Sequence, residues 1–410
     1  MANPLLQKYA EMIVHVGLNL QSGQRLLVRA PIEAAELVRL VTASAYRAGA
    51  RLVTVLWQDE QIALIRFQNA PRDSFEEFPV WLPKAMEEHI REGGALLSIY
   101  AEDPDLLQNE DPELIGIAMK TGAKYSQPVS KLIMRNATNW SIASMPVPAW
   151  AAKMFPELPP AEQTEKLWDA IYQVCRIKTD DPVAEWKEHV RQLGARARYL
   201  TEKAYQAVHF RAPGTDLRVG LPAGHLWMGG ETTTEKGNTF IPNMPTEEVF
   251  TMPHRNHVDG VVRATMPLSY GGKLIEDFSL TFKDGQVVEY QAGKNQDILK
   301  ELMDTDEGAR HLGEVALVAH STPISQSGFL FYNTLFDENA ASHLALGKAY
   351  KFTHQQGSTM TDEEFETAGG NHSLTHVDFM IGSAQTDLDG IRLDGTIEPI
   401  MRQGEWTFTV

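Results

Sequence analysis

Residues 26–57 read LLVRAPIEAAELVRLVTASAYRAGARLVTVLW, and this stretch decides the fold of the first half of the chain. Leu26-Leu27-Val28 is a short apolar run of strand type. Ile32 to Ala48 switches to helical spacing, with Ile32, Ala35, Val38 and Val41 on or near one face. Gly49 stands where a helix would end in left-handed backbone. Leu52 to Trp57 returns to strand. Strand–helix–strand with tight links is a βαβ unit, which implies a parallel sheet. Further units are expected around Ala95 to Tyr100 and Pro112 to Gly122, and Leu5 to Leu20 has a helical pattern ending at Ser22-Gly23. This half has neither a Gly-x-Gly-x-x-Gly nor a Walker-type loop, so nucleotide binding has no motif behind it.

Working outward, residues 145–165 carry Pro146, Pro148, Pro156, Pro159 and Pro160 and read as irregular surface. The charged helical stretch from Val183 to Ala207 reads as a connector. Beyond it the pattern changes. Phe278-Ser279-Leu280-Thr281-Phe282, then Lys283-Asp284-Gly285, then Val287-Val288 is a β-hairpin signal. The expected architecture is an N-terminal α/β domain with a parallel sheet over residues 1–195. A C-terminal mixed α+β domain over residues 196–410 follows it.

A chain of 410 residues, 43% hydrophobic and 22% charged, suits two globular domains. Its 54 acidic against 37 basic residues give a net charge of −17. That balance argues against nucleic-acid or anionic-membrane partners, which need a basic footprint. It suits metal ions or a peptide's free amine, with mere solubility as the equal alternative. Cys175 is the single cysteine, so no internal disulfide can form, and the N-terminus lacks a basic-then-apolar leader pattern. The cytoplasm is the expected location.

Ten of the 13 histidines lie in the C-terminal half, which directs the search for chemistry there. His376-Val377-Asp378-Phe379-Met380-Ile381-Gly382 reads as a strand with His376, Asp378 and Met380 on one face, and His and Asp so placed can bind one ion. A structural His–Asp pair is the ordinary alternative for a lone match. Asp337-Glu338-Asn339-Ala340-Ala341-Ser342-His343 suggests a helix beginning at Asn339 with His343 one turn inside. Tyr350 would then share its face two turns on. Glu314 opens the apolar run Leu312 to Val318, where a solvated strand end is the ordinary alternative. Glu247 and Glu248 lead into a β-prone stretch, and alternation sends them to opposite faces without saying which faces a site.

Together these segments offer carboxylate oxygens and imidazole nitrogens without thiolate, a donor set suited to zinc, manganese or cobalt. Four to six such ligands suit two ions about 3.5–4 Å apart sharing a carboxylate. His-Glu-x-x-His and Gly-x-Ser-x-Gly are both absent. A dimetal phosphoesterase would use similar ligands, but no arginine cluster for a phosphate stands out. A non-enzymatic metal- or peptide-binding protein is the other reading.

The segments 245–251, 313–317, 337–343 and 376–382 resemble, in order and spacing, the thermophilic metalloaminopeptidase family of aminopeptidases T and S. The resemblance covers nearly the whole chain and is most specific from Asn243 to Gly382. It implies an aminopeptidase acting on peptides with a free N-terminus, with two divalent metal ions on Glu248, Glu314, Glu338, His343, His376 and Asp378. It also implies a catalytic role for Tyr350 and a homodimer. Position in the motif favours Glu248 over Glu247 as the ligand. Glu314 is a candidate bridge between the ions, and Glu247 reads as a surface charge or, if turned inward, a proton shuttle.

Overall fold

The computed structural model describes residues 3–270 and 273–410. The chain divides into two compact units, Met1–Glu188 with Glu231–Pro245, and His189–Gly230 with Thr246–Val410. The first unit is built on β1 (Arg25–Pro31), β2 (Leu52–Gln58), β3 (Ala95–Tyr100) and β4 (Trp140–Ser144), in the order β2-β1-β3-β4. Every neighbouring pair is parallel. Parallel neighbours need crossovers, and the helices Ala35–Arg47, Glu60–Asn69, Trp81–Arg91 and Pro112–Met134 lie between the strands in sequence. In the two central strands Leu26, Val28 and Leu97 on one face and Leu27 and Leu96 on the other are all buried, as a sheet covered on both faces requires. Gly49 takes φ +94° after the first crossover helix, the conformation its place in the sequence called for. The segment 231–245 returns to this unit, where the Ile142 N–H donates to the Pro242 carbonyl at 2.7 Å.

Residues 145–165 are more ordered than their prolines suggested. Helices run over Pro148–Met154 and Pro160–Val174, each with proline in its first turn, and Trp150 and Ala151 are buried. Proline there fixes φ and has no N–H to leave unpaired, so it starts these helices instead of breaking them. The stretch expected as a connector is helical over Pro182–Lys203. No helix among the described residues is long and apolar enough to cross a membrane.

The second unit holds a nine-stranded and a five-stranded sheet. The hairpin of the first is Lys273–Lys283 against Gln286–Lys294, turning at Asp284 and Gly285 with φ 50° and 84°. Two consecutive positive φ angles match the twist of the flanking strands. The five-stranded sheet comprises β5 (Met228–Gly229), β6 (Val249–Thr251), β7 (Leu312–Leu317), β8 (His343–Gly347) and β9 (His376–Met380), in the order β9-β8-β7-β6-β5. All its neighbours are antiparallel. On one face Val249, Val315, Leu317, Leu344, Leu346 and Phe379 join a single core with Phe278, Leu280 and Val287 of the hairpin sheet. That core leaves the other face for chemistry.

Two local expectations are corrected here. His343 does not sit in a helix: Glu338–Ala340 is a single 3-10 turn and His343 opens β8. All five β8 residues are buried, so the strand shows no polar–apolar alternation, and its small residues imitate a helix pattern. Tyr350 accordingly shares no helix face with His343; it precedes the 3-10 turn Lys351–Thr353. Glu314 is not a solvated strand end either, being 5% exposed within a strand buried along its whole length.

Gly347 ends β8 opposite His376 with φ +105°. A Cβ there would stand 2.2 Å from the Thr375 carbonyl oxygen. Only glycine permits both the backbone angle and this approach of β9. Gly347→Ala should therefore destabilise metal-free protein by about 1–3 kcal/mol. Urea unfolding checks this, and an unchanged midpoint would refute it.

Candidate metal centre

Strand alternation builds the site. Ala316 pairs with His343, and His343 with Met380; Phe250 completes this row by pairing with Ala316. In the next row Glu314 pairs with Ala345, and Ala345 with Asp378. Gly347 pairs with His376 one step further. Glu314 and Asp378 are thus two strands apart, roughly 10 Å at the backbone. Only the methyl of Ala345 stands between them, so both side chains can lean over it. Glu248 enters from the residue before β6, on the same face as Phe250.

The side chains converge. His343 Nε2 lies 3.2 Å from Glu248 Oε2 and 3.6 Å from Glu314 Oε1. His376 Nε2 lies 3.7 Å from Glu314 Oε2 and 3.4 Å from Asp378 Oδ1. Tetrahedral ligands on a zinc-sized ion stand about 3.4 Å apart, given bonds near 2.1 Å. Two triads result, Glu248–Glu314–His343 and Glu314–His376–Asp378, each with ligand atoms within 4.8 Å of one another. Glu314 belongs to both and turns one oxygen to each histidine. Each ring is oriented from behind: His343 Nδ1 is 3.1 Å from the Ala341 carbonyl, and His376 Nδ1 is 2.7 Å from that of Lys348. A ring that donates from Nδ1 to a carbonyl offers its Nε2 lone pair to a metal. Asp378 Oδ1 is buried without a hydrogen-bond partner. A buried carboxylate oxygen left without a hydrogen bond, 3.4 Å from His376 Nε2, fits a divalent cation.

The electrostatics carry the same signature. Burial, and then the charges of Glu248 and Asp378, hold the Glu338 carboxyl well above its ordinary range. Burial raises Glu314 to about 7. Burial also pulls on both histidines, but downward, and the carboxylates outweigh it. Glu248 and Glu314 lift His343 well above the usual imidazole range, and Asp378 with Glu314 lifts His376 to about 9. Asp378 is lowered despite its burial, because His376 faces it. Tyr350 packs its ring 4.7 Å from that of His376 and stacks on Phe352 at 5.3 Å. Burial first, then Glu314, Asp378, Glu338 and Glu248, raise its phenol far above the ordinary value, so it stays a donor.

All six expected ligands and Tyr350 therefore share one neighbourhood. Glu247 does not join them as a surface charge: it is 2% exposed, with its carboxylate 3.3 Å from His189 Nε2. The sequence reading passed over His189, the Ala345 spacer, the two orienting carbonyls and Asn339. Of these Asn339 and Ala341 lay within the 337–343 motif already singled out.

The profile of the thermophilic metalloprotease family (M29) matches residues 2–406. The chain is 50% identical over 403 residues to aminopeptidase 2 of Geobacillus stearothermophilus, covering 98% of each chain. It is 47% identical over 401 residues to aminopeptidase T of Thermus thermophilus, again covering 98% of each. The solved structure of wild-type AmpT from Thermus thermophilus superposes with a TM-score of 0.93 at 46% identity, covering 98% of this chain and 99% of that one.

Protons hold the metal-free cluster together, so metal must displace them. At neutral pH His376 carries a proton and Glu314 a partial one, and His343 and Glu338 are shifted in the same direction. Zinc added at about pH 6.5 should release more than one proton per chain, and affinity should rise with pH to at least about 9. Titration in weak buffer measures both; an affinity flat from about pH 6 to 8 without proton release would contradict this account.

Proposed function

Because the chain belongs to the thermophilic metalloprotease family (M29), we propose that it is a metal-dependent aminopeptidase using two divalent ions to release N-terminal residues from peptides. The observation that carries the two-ion reading is Glu314, whose two oxygens face different histidines. Glu248, Glu338 and His343 would hold one ion with Glu314, and His376 and Asp378 the other. Zinc, cobalt and manganese all suit this set of oxygen and nitrogen donors. Bound there, such ions supply a water acidic enough to attack at neutral pH and polarise the scissile carbonyl.

The chain's own groups do the rest. The chain's net charge of −17 attracts the substrate's α-ammonium group, which favours peptide ends over internal bonds. Tyr350, kept protonated, donates its hydroxyl to the oxyanion that develops on the carbonyl. A carboxylate on the ligand face carries the proton to the leaving amine. Glu247 is not that carboxylate in this structure, because it is engaged with His189.

An assay with leucyl- or arginyl-p-nitroanilide tests the reading. Chelator-stripped protein should be inactive and should recover with zinc, cobalt or manganese; turnover surviving complete metal removal would overturn it. In the same assay Tyr350→Phe should keep both ions yet lose about 10²–10³-fold in kcat and in kcat/KM together. Full metal occupancy with near-wild-type kcat would sink the oxyanion role.

We also propose a homodimer located in the cytoplasm. In the first unit Ile62, Ile65, Trp81 and Met119 are 56–71% exposed, and the helix Glu60–Asn69 buries none of its residues. Apolar side chains left open in such number suit a surface covered by a second copy. Light scattering at micromolar concentration should give twice the 45.8 kDa chain mass; the single-chain mass would reject the dimer. The lone, buried Cys175 suits a reducing compartment, which cell fractionation can check.

A further inference from the structure

Asn339 follows Glu338 directly and is completely buried, with 0% exposure. Its carboxamide faces two ways. Oδ1 accepts the Glu247 N–H at 2.7 Å, and Nδ2 donates to the Leu335 carbonyl at 3.2 Å. Leu335 lies in the short helix Thr334–Asp337 that delivers Glu338. That helix is tied down in turn by Asp337, whose carboxylate accepts the N–H groups of Phe331 at 2.7 Å and Asn333 at 3.0 Å. On the far side, Glu247 is held through its carboxylate by His189, which also hydrogen-bonds the Thr246 carbonyl at 2.9 Å. One neutral side chain thus joins two segments 92 residues apart, each bearing a candidate ligand beside the joint.

We propose that Asn339 is a positioning residue that clips the Glu247–Glu248 backbone to the Glu338 turn and so fixes these two carboxylates around one ion. The chemistry asks for a carboxamide. A joint between a backbone N–H and a backbone carbonyl needs an acceptor and a donor on one short side chain, which asparagine has. Aspartate offers only acceptors when ionised, and would add a charge beside an already acidic cluster. Alanine leaves both backbone groups without their partner. Residues that hold ligands from behind set affinity as the ligands do, with losses of about 10–100-fold on removal.

This proposal rests on the reading that Glu248 and Glu338 are ligands, and the test separates the two ideas. Metal-free wild type, Asn339→Ala, Asn339→Ser and Asn339→Asp are titrated with cobalt, read by visible absorption and by chelator competition, with circular dichroism and melting of the metal-free proteins. Wild type should bind two ions. Asn339→Ala and Asn339→Ser should lose about 10–100-fold in affinity for one ion while the other stays within about threefold. Asn339→Asp, which keeps an oxygen for the Glu247 N–H, should recover part of that loss, and saturating cobalt should restore most of the kcat of Asn339→Ala. Folded Asn339→Ala or Asn339→Ser protein binding both ions within about threefold of wild type would overturn the proposal. So would the loss of both ions together with the fold in every variant, which would make Asn339 a residue of the core. Wild type binding fewer than two ions would instead overturn the two-ion reading on which the proposal rests.

Discussion

Four carboxylates and two imidazoles crowd one face of a buried sheet, and the rest of the second unit answers to that crowding. Two like charges 4 Å apart repel by roughly 4 kcal/mol at an effective dielectric of 20, and taking each from water costs several more. Four such carboxylates cannot all stay ionised unless positive charge sits among them. Without metal, the cluster is neutralised by protons: Glu314 and Glu338 are raised, and both histidines are drawn to their charged form. Divalent ions would substitute for those protons. The raised groups are therefore the metal-free face of one and the same site.

Such a cluster needs a rigid support with room above it. β7 and β8 are buried along their whole length, and their apolar side chains anchor one face of the sheet in the core. On the opposite face the small residues Ala316, Ala345 and Gly347 alternate with the ligands, and the bulkier Phe250 and Met380 stand at the two ends of the row through Ala316 and His343. Gly347 lets β9 approach to where His376 meets Glu314. Carbonyls of Ala341 and Lys348 then hold the imidazole rings with Nε2 inward. The order is instructive: core packing fixes strands, strands fix rows, rows fix ligand atoms, and backbone carbonyls set the final ring angle.

Much of this was legible in the sequence where burial is one-sided or turn chemistry is explicit. The switch from strand to helix and back between Leu26 and Trp57 gives the parallel sheet, and Asp284-Gly285 gives the hairpin. His376 and Asp378 alternate as a strand should. His343 was misplaced because β8 is buried on both faces, which erases the period that separates strand from helix. The helices after Pro148 and Pro160 were missed because proline at a helix start looks the same in sequence as proline in a loop. Asn339 was passed over for a different reason. Its partners are backbone groups, one of them 92 residues away, and no side-chain pattern records them.

Glu247 and Glu248 show how far the chemistry depends on register. The two are identical side chains on consecutive residues, and their fates differ only because a strand alternates. Glu248 faces His343, while Glu247 is buried against His189. A slip by one residue would exchange them, sending Glu248 into the packing and leaving the ligand set one member short. Yet β6 is only three residues long, with three pairs to β7 and two to β5, too few to hold a register by themselves. The register is held from outside the ladder instead, by His189 on the Glu247 carboxylate and by Asn339 on the Glu247 N–H. The glutamate that faces away from the ligands thus decides that its neighbour points toward them.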